Sequence, residues 1–508
     1  MTTVHLDGKS LTLQDVVNVA RKGYKVEIAP AAKEQIKECA ASVSEWVKEG
    51  RVVYGITTGF GDLASVVIPR DKGCQLQENL LLSHACGYGE PYPEDVVRAI
   101  MLLRINTLTR GFSGISLETL QQMVDYLNLG IHPVVPTQGS VGASGDLCPL
   151  SHVAISLIGH GEVVYKGQKM SASEALAKVG MKPVELQPKE GLALNNGTTV
   201  MNAVAALCIV DAMNMMKNAD VAASMSAEAL HAVPYAFDRR THDLRPQVGQ
   251  GVVAENIRRL IEGSEIIEAF KKDRVQDAYS LRCLPQVHGA SRDAIGYVKE
   301  KVEIEINSVT DNPIIFHKDG DAISGGNFHG QPMAMAMDFF GIAAAEFASI
   351  SERRVARLVD HKLSDLPPFL VSDSGVNSGF MIPQYTAAAI VSENKVLAHP
   401  SVVDSIPTSA NQEDHVSMGG YSARKGRQIL DNTNRVIAVE MVNAAQGMDF
   451  RAPLKPGKGS GAAFKEFRKH VPFYEKDQFM QPLLLKSLEL VENGTVVKAV
   501  EEAIGELK

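Results

Sequence analysis

The stretch PMAMAMDFFGIAAAEFASISERRVARLVDHKL, residues 332–363, decides the fold class of this 508-residue chain. It is apolar on nearly all sides, begins with a proline that suits the first turn of a helix, and ends before the Pro367-Pro368 pair. A helix of that kind is buried in a large bundle or between subunits. We therefore interpret its many Ala and Met residues as packing residues rather than as the lining of a cofactor pocket.

Further segments of the same character lie on either side of this stretch. They are residues 198–230, 385–399 and 417–447. Shorter elements are predicted nearer the N-terminus: helices over 91–107 and 116–128, a small helix from Thr12, and strands at Val4–Leu6 and near Val26–Ile28. We predict a mainly α protein with a long central helical bundle and a smaller N-terminal α+β part. The predicted division is an N-terminal domain (1–195), the central bundle (196–447) and a C-terminal helical segment (448–508).

The composition argues against several functional classes. The net charge of −8 disfavours nucleic acid or an anionic membrane as partner, because both require a basic face. The six cysteines are scattered without a CxxC pair, and the first residues lack the pattern of a signal peptide. The most apolar run stops at Asp211, which is too soon to span a bilayer. These features predict a reduced, cytoplasmic protein.

The familiar cofactor and nucleophile motifs are missing from the sequence. It contains no Walker loop, no GxGxxG after a strand, no HExxH and no GxSxG. Its histidines are spread too far apart to indicate a metal site. An enzyme of this size without a metal or nucleotide motif needs another source of reactivity.

One segment broken by proline and glycine offers such a source: GSVGASGDLCPLSH, residues 139–152. In a tight bend, the Gly145 nitrogen can attack the Ala143 carbonyl carbon and close a five-membered ring. Loss of two waters, one of them from the Ser144 side chain, leaves 4-methylidene-imidazole-5-one, a strong electrophile. Gly145 attacks without a Cβ in the way, Ala143 crowds little, and Ser144 can dehydrate. From its spacing alone, the segment equally fits a plain turn.

The segment closely resembles the signature of the aromatic amino acid ammonia-lyases, whose prosthetic group forms from that Ala-Ser-Gly. Seven further blocks in the same order extend the likeness over nearly the whole chain, although residues 448–508 match weakly. The blocks are YGITTGFGDLAS (54–65), NLLLSHACGYGEP (79–91), GLALNNGTT (191–199), RVQDAYSLRCLPQVHGA (274–290), TDNPIIF (310–316), SGGNFHGQP (324–332) and SANQEDHVSMG (409–419). The resemblance implies a mainly helical fold, a prosthetic group made from Ala143-Ser144-Gly145 without metal or nucleotide, and a homotetramer with each active site built from three subunits.

The resemblance also implies roles for individual side chains. Tyr279 matches the catalytic tyrosine of the family and is the candidate base. Arg282, three residues further on, would hold the substrate carboxylate in a bidentate grip. Four other positions match residues that surround the substrate: Tyr54 and Asn196 beside its carboxylate and amine, and Gln276 and Phe328 at the border of the site.

Two positions bear on which ring the site accepts. Relatives that take phenylalanine or tyrosine carry Phe-Leu or His-Leu where this chain has Ser83-His84, and an amide where it has Glu413. A histidine side chain and a carboxylate suit an imidazole, which both donates and accepts hydrogen bonds. A phenyl ring would leave Glu413 desolvated and unpaired, at a cost of several kcal/mol. L-Histidine is therefore the expected substrate.

The chain departs from the family pattern at three positions, and other functions stay open. Thr57 stands where many relatives have Asn, Asn195 where they have an aliphatic residue, and Cys148 where they have Ala. A sister lyase for tyrosine or phenylalanine, or an aminomutase that returns ammonia to the β-carbon, is the nearest alternative. The aspartase/fumarase group uses a GSSxMPxKxN loop that this chain lacks. A non-catalytic scaffold is disfavoured by the intact Ala143-Ser144-Gly145, Tyr279 and Arg282.

Overall fold

Helices account for 61% of the protein and strands for 8% in the computed structural model, which describes residues 2–508. The helices are α1 (Leu13–Lys22), α2 (Pro30–Glu49), α3 (Gly73–His84), α4 (Glu94–Thr109), α5 (Leu117–Leu129), α6 (Leu147–Leu157), α7 (Ala172–Val179), α8 (Glu190–Asn195), α9 (Thr199–Ala229), α10 (Arg239–Asp243), α11 (Val248–Leu260), α12 (Glu265–Phe270), α13 (Tyr279–Arg282), α14 (Leu284–Glu305), α15 (Gln331–Val359), α16 (His361–Ser364), α17 (Met381–Leu397), α18 (Gly419–Asp449), α19 (Lys458–Arg468), α20 (Gln481–Glu492) and α21 (Thr495–Ile504). The strands are β1 (Thr3–Leu6), β2 (Lys25–Ile28), β3 (Tyr88–Pro91), β4 (Ile131–Pro133), β5 (Pro136–Gln138), β6 (Glu162–Tyr165), β7 (Gln168–Ser171), β8 (Ile314–Phe316) and β9 (Asp321–Ile323). The predicted mainly α fold is confirmed.

The first elements of the chain follow directly from their sequence signals. The Thr12 hydroxyl accepts a hydrogen bond from the Asp15 N–H, and the Asp15 carboxylate accepts one from the Thr12 N–H, which together cap the start of α1. Gly23 ends this helix with a φ of 70°, in the left-handed region. β1 and β2 then pair in parallel, with Val4 opposite Val26.

The long helices that the apolar segments predicted are all present. α9, α15, α17 and α18 correspond to the four segments. In α9 and α15 the Ala and Met side chains are largely buried. Fully burying a side chain as large as Met contributes about 1.5–3 kcal/mol, so packing accounts for the hydrophobicity of these helices.

By length and composition alone, α9 and α15 could also cross a membrane. In each helix, however, most of the most apolar 18-residue stretch is buried inside the protein: 72% of it in α9 and 67% in α15. Such burial is typical of core helices. The most apolar run, which stops at Asp211, is only the first part of α9, which continues to Ala229 in agreement with the longer segment predicted over residues 198–230. The helix tolerates Asp211 because the Arg427 guanidinium pairs with its carboxylate.

The chain forms two compact units. The first comprises the chain up to Val210 together with Lys299–Asp338 and Pro400–Arg424. The second comprises Asp211–Val298, Phe339–His399 and Lys425–Lys508. These units describe compactness alone, and the division at residues 195 and 447 stays a prediction.

A buried ion pair ties together three long helices within the second unit. Arg354 donates two hydrogen bonds to the Glu440 carboxylate, at 2.5 and 2.8 Å, and neither side chain is exposed. The Ser226 hydroxyl donates to the same carboxylate at 2.7 Å. Charges buried in this way are tolerated only when paired, so Arg354 on α15 and Glu440 on α18 depend on each other.

Candidate active site

The loop over residues 139–146 is held against the residues that precede α9. Gly145 has a φ of 68°, and a Cβ added to it would lie 2.1 Å from the Gly197 carbonyl carbon. The Gly197 N–H donates to the Ser144 carbonyl oxygen at 3.2 Å, and the Asp146 N–H donates to the Gly197 carbonyl oxygen at 2.8 Å. Two backbone stretches therefore meet without room for a side chain, and only glycine fits at position 145.

Two serines hold the shape of this loop. The Ser140 hydroxyl donates to Asp146 Oδ1 at 2.9 Å and accepts from the Gly142 N–H at 3.1 Å. The Ser417 hydroxyl donates to the Gly142 carbonyl oxygen at 2.9 Å. Because Gly142 is bonded from both sides, the backbone leading to Ser144 is fixed.

Asp146 connects the loop to the long core helix. Its side chain is fully buried, and Oδ2 accepts a hydrogen bond from the Met201 N–H in the first turn of α9 at 2.8 Å. A carboxylate at a helix N-terminus is favoured by the helix dipole. Burial nevertheless raises the pKa of Asp146 to about 6, against the hydrogen bonds from Met201 and Ser140 that lower it. The group can therefore exchange a proton near neutral pH.

A cavity of about 560 Å³ is lined by residues of the first unit. Five of the predicted site residues belong to this lining: Tyr54, His84, Ser144, Asn196 and Glu413. Ala143 and Gly145 flank Ser144 in the loop. The rest of the lining is mainly apolar, from Phe60, Leu63, Val66, Ile68, Leu76, Leu80, Leu147 and Leu192. Within residues 2–508, no group of three or more His, Cys, Asp or Glu side chains is placed to hold a metal ion.

Two loops meet at the edge of this cavity. The Tyr54 phenol oxygen accepts a hydrogen bond from the Gly61 N–H at 3.1 Å, and a Cβ added to Gly61 would lie 2.5 Å from the Ser409 hydroxyl oxygen. The turn Ser409–Asn411 has φ values of 51°, 52° and 69°, all in the left-handed region. This conformation costs about 1–2 kcal/mol per non-glycine residue. The strained turn lies just before Glu413 in the chain and positions that residue in the cavity lining.

His84 and Glu413 are each held by a neighbouring hydroxyl. His84 Nδ1 lies 3.0 Å from the Ser83 hydroxyl oxygen, which leaves Nε2 for a ligand. The Thr408 hydroxyl donates to Glu413 Oε2 at 2.6 Å. Burial lowers the pKa of His84, while the Glu413 carboxylate opposes that shift. The two side chains thus interact electrostatically and line the same cavity.

Asn196 lines the cavity, and its side-chain oxygen is an acceptor without a partner. Its Nδ2 donates to Asp311 Oδ1 at 3.3 Å and to the Asn312 carbonyl oxygen at 3.2 Å. Its Oδ1 is buried and has no hydrogen-bond partner among the described residues. Sequence reasoning missed Asp311 and Asn312, although the TDNPIIF block that contains them was noted. Nothing in the letters of that block shows that the aspartate is buried.

Four predicted site residues lie elsewhere in the described chain. Phe328 is half-buried in the first unit and is not part of the cavity lining. Gln276, Tyr279 and Arg282 belong to the second unit. Tyr279 is 70% exposed, and the Arg282 guanidinium stacks over its ring at 4.8 Å from the centroid. The roles of these four residues stay predictions.

Cys148 is a buried thiol beside the loop. A Cβ added to Gly139 would lie 2.5 Å from its Sγ. Burial raises the pKa of Cys148 to about 11, so the nucleophilic thiolate is scarce near neutral pH. Cys148 therefore packs against Gly87 and Gly139 and is predominantly protonated at neutral pH.

The side chains at the other two positions that depart from the family pattern, Thr57 and Asn195, are also buried and make structural hydrogen bonds. The Thr57 hydroxyl donates to the Arg51 carbonyl oxygen at 2.7 Å and accepts from the Val53 N–H at 2.9 Å. The Asn195 amide donates to the Ser151 hydroxyl at 3.1 Å. Neither residue is part of the cavity lining.

Comparison with known proteins assigns the family. The family model for aromatic amino acid lyases matches residues 11–469. The chain belongs to the aromatic amino acid lyase family.

Individual relatives match over the full length. A histidine ammonia-lyase from Alkaliphilus oremlandii is 53% identical over 504 residues, which is 99% of each chain. The crystal structure of histidine ammonia-lyase from Trypanosoma cruzi matches with a TM-score of 0.92 at 41% identity, over 99% of this chain and 96% of that one. A tyrosine aminomutase from Streptomyces globisporus matches with a TM-score of 0.95 at 35% identity, over 100% of both chains. Proteins with different named reactions therefore share this fold.

The environment of Asp146 predicts a pH-dependent stability. Its folded pKa of about 6 exceeds the ordinary value of 3.8, so its stabilising contribution is present below pH 3.8 and is lost as the pH rises through 6. Relative to Asp146→Asn, which does not titrate, the wild-type free energy of unfolding should fall by about 3 kcal/mol across this window. Urea unfolding of both proteins between pH 4 and 7 measures the difference. A difference that stays constant with pH would contradict the prediction.

Proposed function

We propose that this protein eliminates ammonia non-oxidatively from L-histidine to give trans-urocanate, the first step of histidine degradation. The observation that carries the proposal is a single cavity lined by Ser144 of the Ala-Ser-Gly loop together with His84 and Glu413. The full-length similarity to proteins named histidine ammonia-lyase supports it. The proposed location is the cytoplasm.

The loop fits a prosthetic group formed from Ala143-Ser144-Gly145. Gly145 lacks a Cβ at a point where Gly197 leaves no space for one, and Ala143 is small and buried. Asp146 is next in the chain and can exchange a proton near neutral pH. The group, 4-methylidene-imidazole-5-one, supplies an electrophile for the substrate amine. No metal or nucleotide is part of the proposal.

The cavity suits the polarity of histidine. His84 and Glu413 offer hydrogen-bonding groups to an imidazole, which has both a donor and an acceptor. Asn196 Oδ1 offers an acceptor to the amino group. Tyr54 keeps its O–H free for the substrate, because its oxygen accepts from the loop backbone. A phenyl ring would offer no hydrogen bond to the Glu413 oxygen that Thr408 leaves free, in a mainly apolar cavity.

The catalytic base and the group that binds the substrate carboxylate are proposed to come from a partner subunit. Tyr279 would remove the β-proton, Arg282 would bind the substrate carboxylate, and Gln276 and Phe328 would border the site. Ionising a phenol with an ordinary pKa near 10 at pH 7 costs about 4 kcal/mol, which cations and helix N-termini in the assembled site would offset. The 70% exposure of Tyr279 supports this role, because an exposed side chain is free to enter a neighbouring subunit.

A homotetramer with shared active sites is the proposed assembly. One face of α17 leaves Ile382, Tyr385 and Val396 exposed by 57%, 62% and 70%. An exposed apolar patch of this kind favours an interface, and soluble oligomers are mostly symmetric assemblies of one chain.

A substrate panel tests the proposed reaction. Purified protein incubated with L-histidine should release ammonia and raise the near-ultraviolet absorbance as the conjugated product accumulates. L-Tyrosine and L-phenylalanine should react far more slowly, because their rings lack the imidazole N–H that would donate to the free oxygen of Glu413. Turnover of tyrosine or phenylalanine but not of histidine would favour a sister lyase. A β-amino acid among the products would favour an aminomutase.

Intact mass tests the origin of the prosthetic group. The folded, active chain should weigh two waters less than its sequence, as measured by mass spectrometry. Ser144→Ala should abolish both the mass deficit and the activity, since no side-chain water can then be lost. A Ser144→Ala protein that still turns over histidine would refute this origin.

Hybrid assemblies test whether subunits share the site. Ser144→Ala and Tyr279→Phe should each be nearly inactive alone. When the two variants are co-expressed, activity should return, because some hybrid sites combine an intact Ser144 from one subunit with an intact Tyr279 from another. Each variant expressed alone is the control. A co-expressed mixture no more active than either variant would contradict shared sites.

A further inference from the structure

A fully buried group of charges adjoins Asn196, and the reaction proposed above does not use it. Lys189 Nζ lies 2.7 Å from Asp311 Oδ2, and neither side chain is exposed to solvent. Arg104 is also fully buried, and its guanidinium donates to the Asn196 carbonyl oxygen at 2.7 Å. Two cations and one carboxylate therefore lie together in the interior of the first unit.

Both hydrogens of the Asn196 amide are directed at acceptors. One goes to Asp311 Oδ1, and the other goes to the backbone carbonyl of Asn312. A carboxylate and a carbonyl cannot donate, so Nδ2 faces them and Oδ1 faces away. Since Asn196 lines the cavity and its buried Oδ1 has no partner in the described chain, the site presents an acceptor at this point.

We propose that Asp311 is a positioning residue, which orients the Asn196 amide so that Oδ1 accepts a hydrogen bond from the amino group of the substrate. Lys189 occupies one carboxylate oxygen, and the Asn312 N–H donates to the other at 2.7 Å, so the carboxylate cannot turn. A neutral amide at position 311 could point its own NH₂ at Asn196 and reverse the Asn196 amide. The inference rests on the proposed elimination of ammonia, which requires an amine to be held.

The energetic cost of the ion pair supports a role beyond stability. Burying charged groups costs several kcal/mol per ion, and apolar side chains of similar volume are often at least as stable in such places. Lys189 in addition has a φ of 80°, which is strained for a non-glycine residue. Desolvation and strain at Lys189 are costs that an effect of the pair on Asn196 would offset.

The test compares two ligands that differ only in the amino group. L-Histidine carries it, whereas imidazolepropionate has hydrogen in its place. In Asp311→Asn, the KM for histidine should rise about tenfold or more, because the reversed amide presents a donor to an amine. The inhibition constant of imidazolepropionate should change by less than about twofold, and the mass deficit of the prosthetic group should be kept.

Asp338→Asn is the matched control. Asp338 is a buried aspartate of the first unit whose Oδ2 accepts from the Ser401 and Val402 N–H groups at 2.7 Å each, and it does not line the cavity. This variant should leave the ratio of the two constants unchanged. If Asp311→Asn does not fold because Lys189 is left unpaired, Lys189→Met/Asp311→Leu removes both charges together with the acceptor that holds Asn196 Nδ2, and a change in the ratio in the same direction is expected.

Equal losses for the two ligands, or no loss for either, would overturn the proposal, because a purely structural role does not depend on the amino group. Failure of the proposed function is recognised separately, in wild-type protein that shows neither turnover nor the mass deficit. Calorimetric binding of both ligands to the wild type and Asp311→Asn would then still test whether Asp311 governs selection of the amine.

Discussion

The backbone contact between Gly145 and Gly197 is the constraint on which the rest of the site depends. It joins the loop that contains Ser144 to the segment that enters α9, and hydrogen bonds on both sides of the contact fix the register. Asp146 then accepts a hydrogen bond from the first turn of α9. The loop that contains Ser144 is thereby anchored on one of the most buried helices of the protein. The conformation of the loop is fixed by contacts with the core rather than by its length.

Polar groups held by neighbouring side chains in a mainly apolar lining determine what the cavity can bind. The Thr408 hydroxyl holds one oxygen of Glu413, and Asp311 holds the amide nitrogen of Asn196. In each case one atom of a polar group is occupied by the protein and the other is left for a ligand. Groups oriented before binding need no reorganisation during a reaction, and this is a large source of catalytic power in enzymes.

The fold was largely predictable from sequence, whereas only part of the site was. Apolar runs and caps such as Thr12 and Gly23 define helices locally, so α1 and the four long helices were expected. His84, Asn196 and Glu413 were found through family blocks, not through periodicity. Lys189 and Asp311 escaped prediction because they are 122 residues apart in the chain and nothing local shows their burial. Tyr279 and Arg282 stay predictions, because a single chain does not contain the partner that their roles require.

The left-handed turn Ser409–Asn411 has an evolutionary consequence. Its strain persists next to a backbone and side-chain link between Thr408 and Glu413. A mutation that replaces Glu413 to admit another ring also removes the side-chain part of that link, and the turn becomes freer to relax. The preference for a substrate ring and the conformation of the turn at the edge of the cavity are therefore expected to change together among descendants of this sequence. A descendant that accepts another substrate would need a different way to stabilise the turn Ser409–Asn411. The simplest is a glycine at Ala410, because glycine adopts the left-handed conformation without strain.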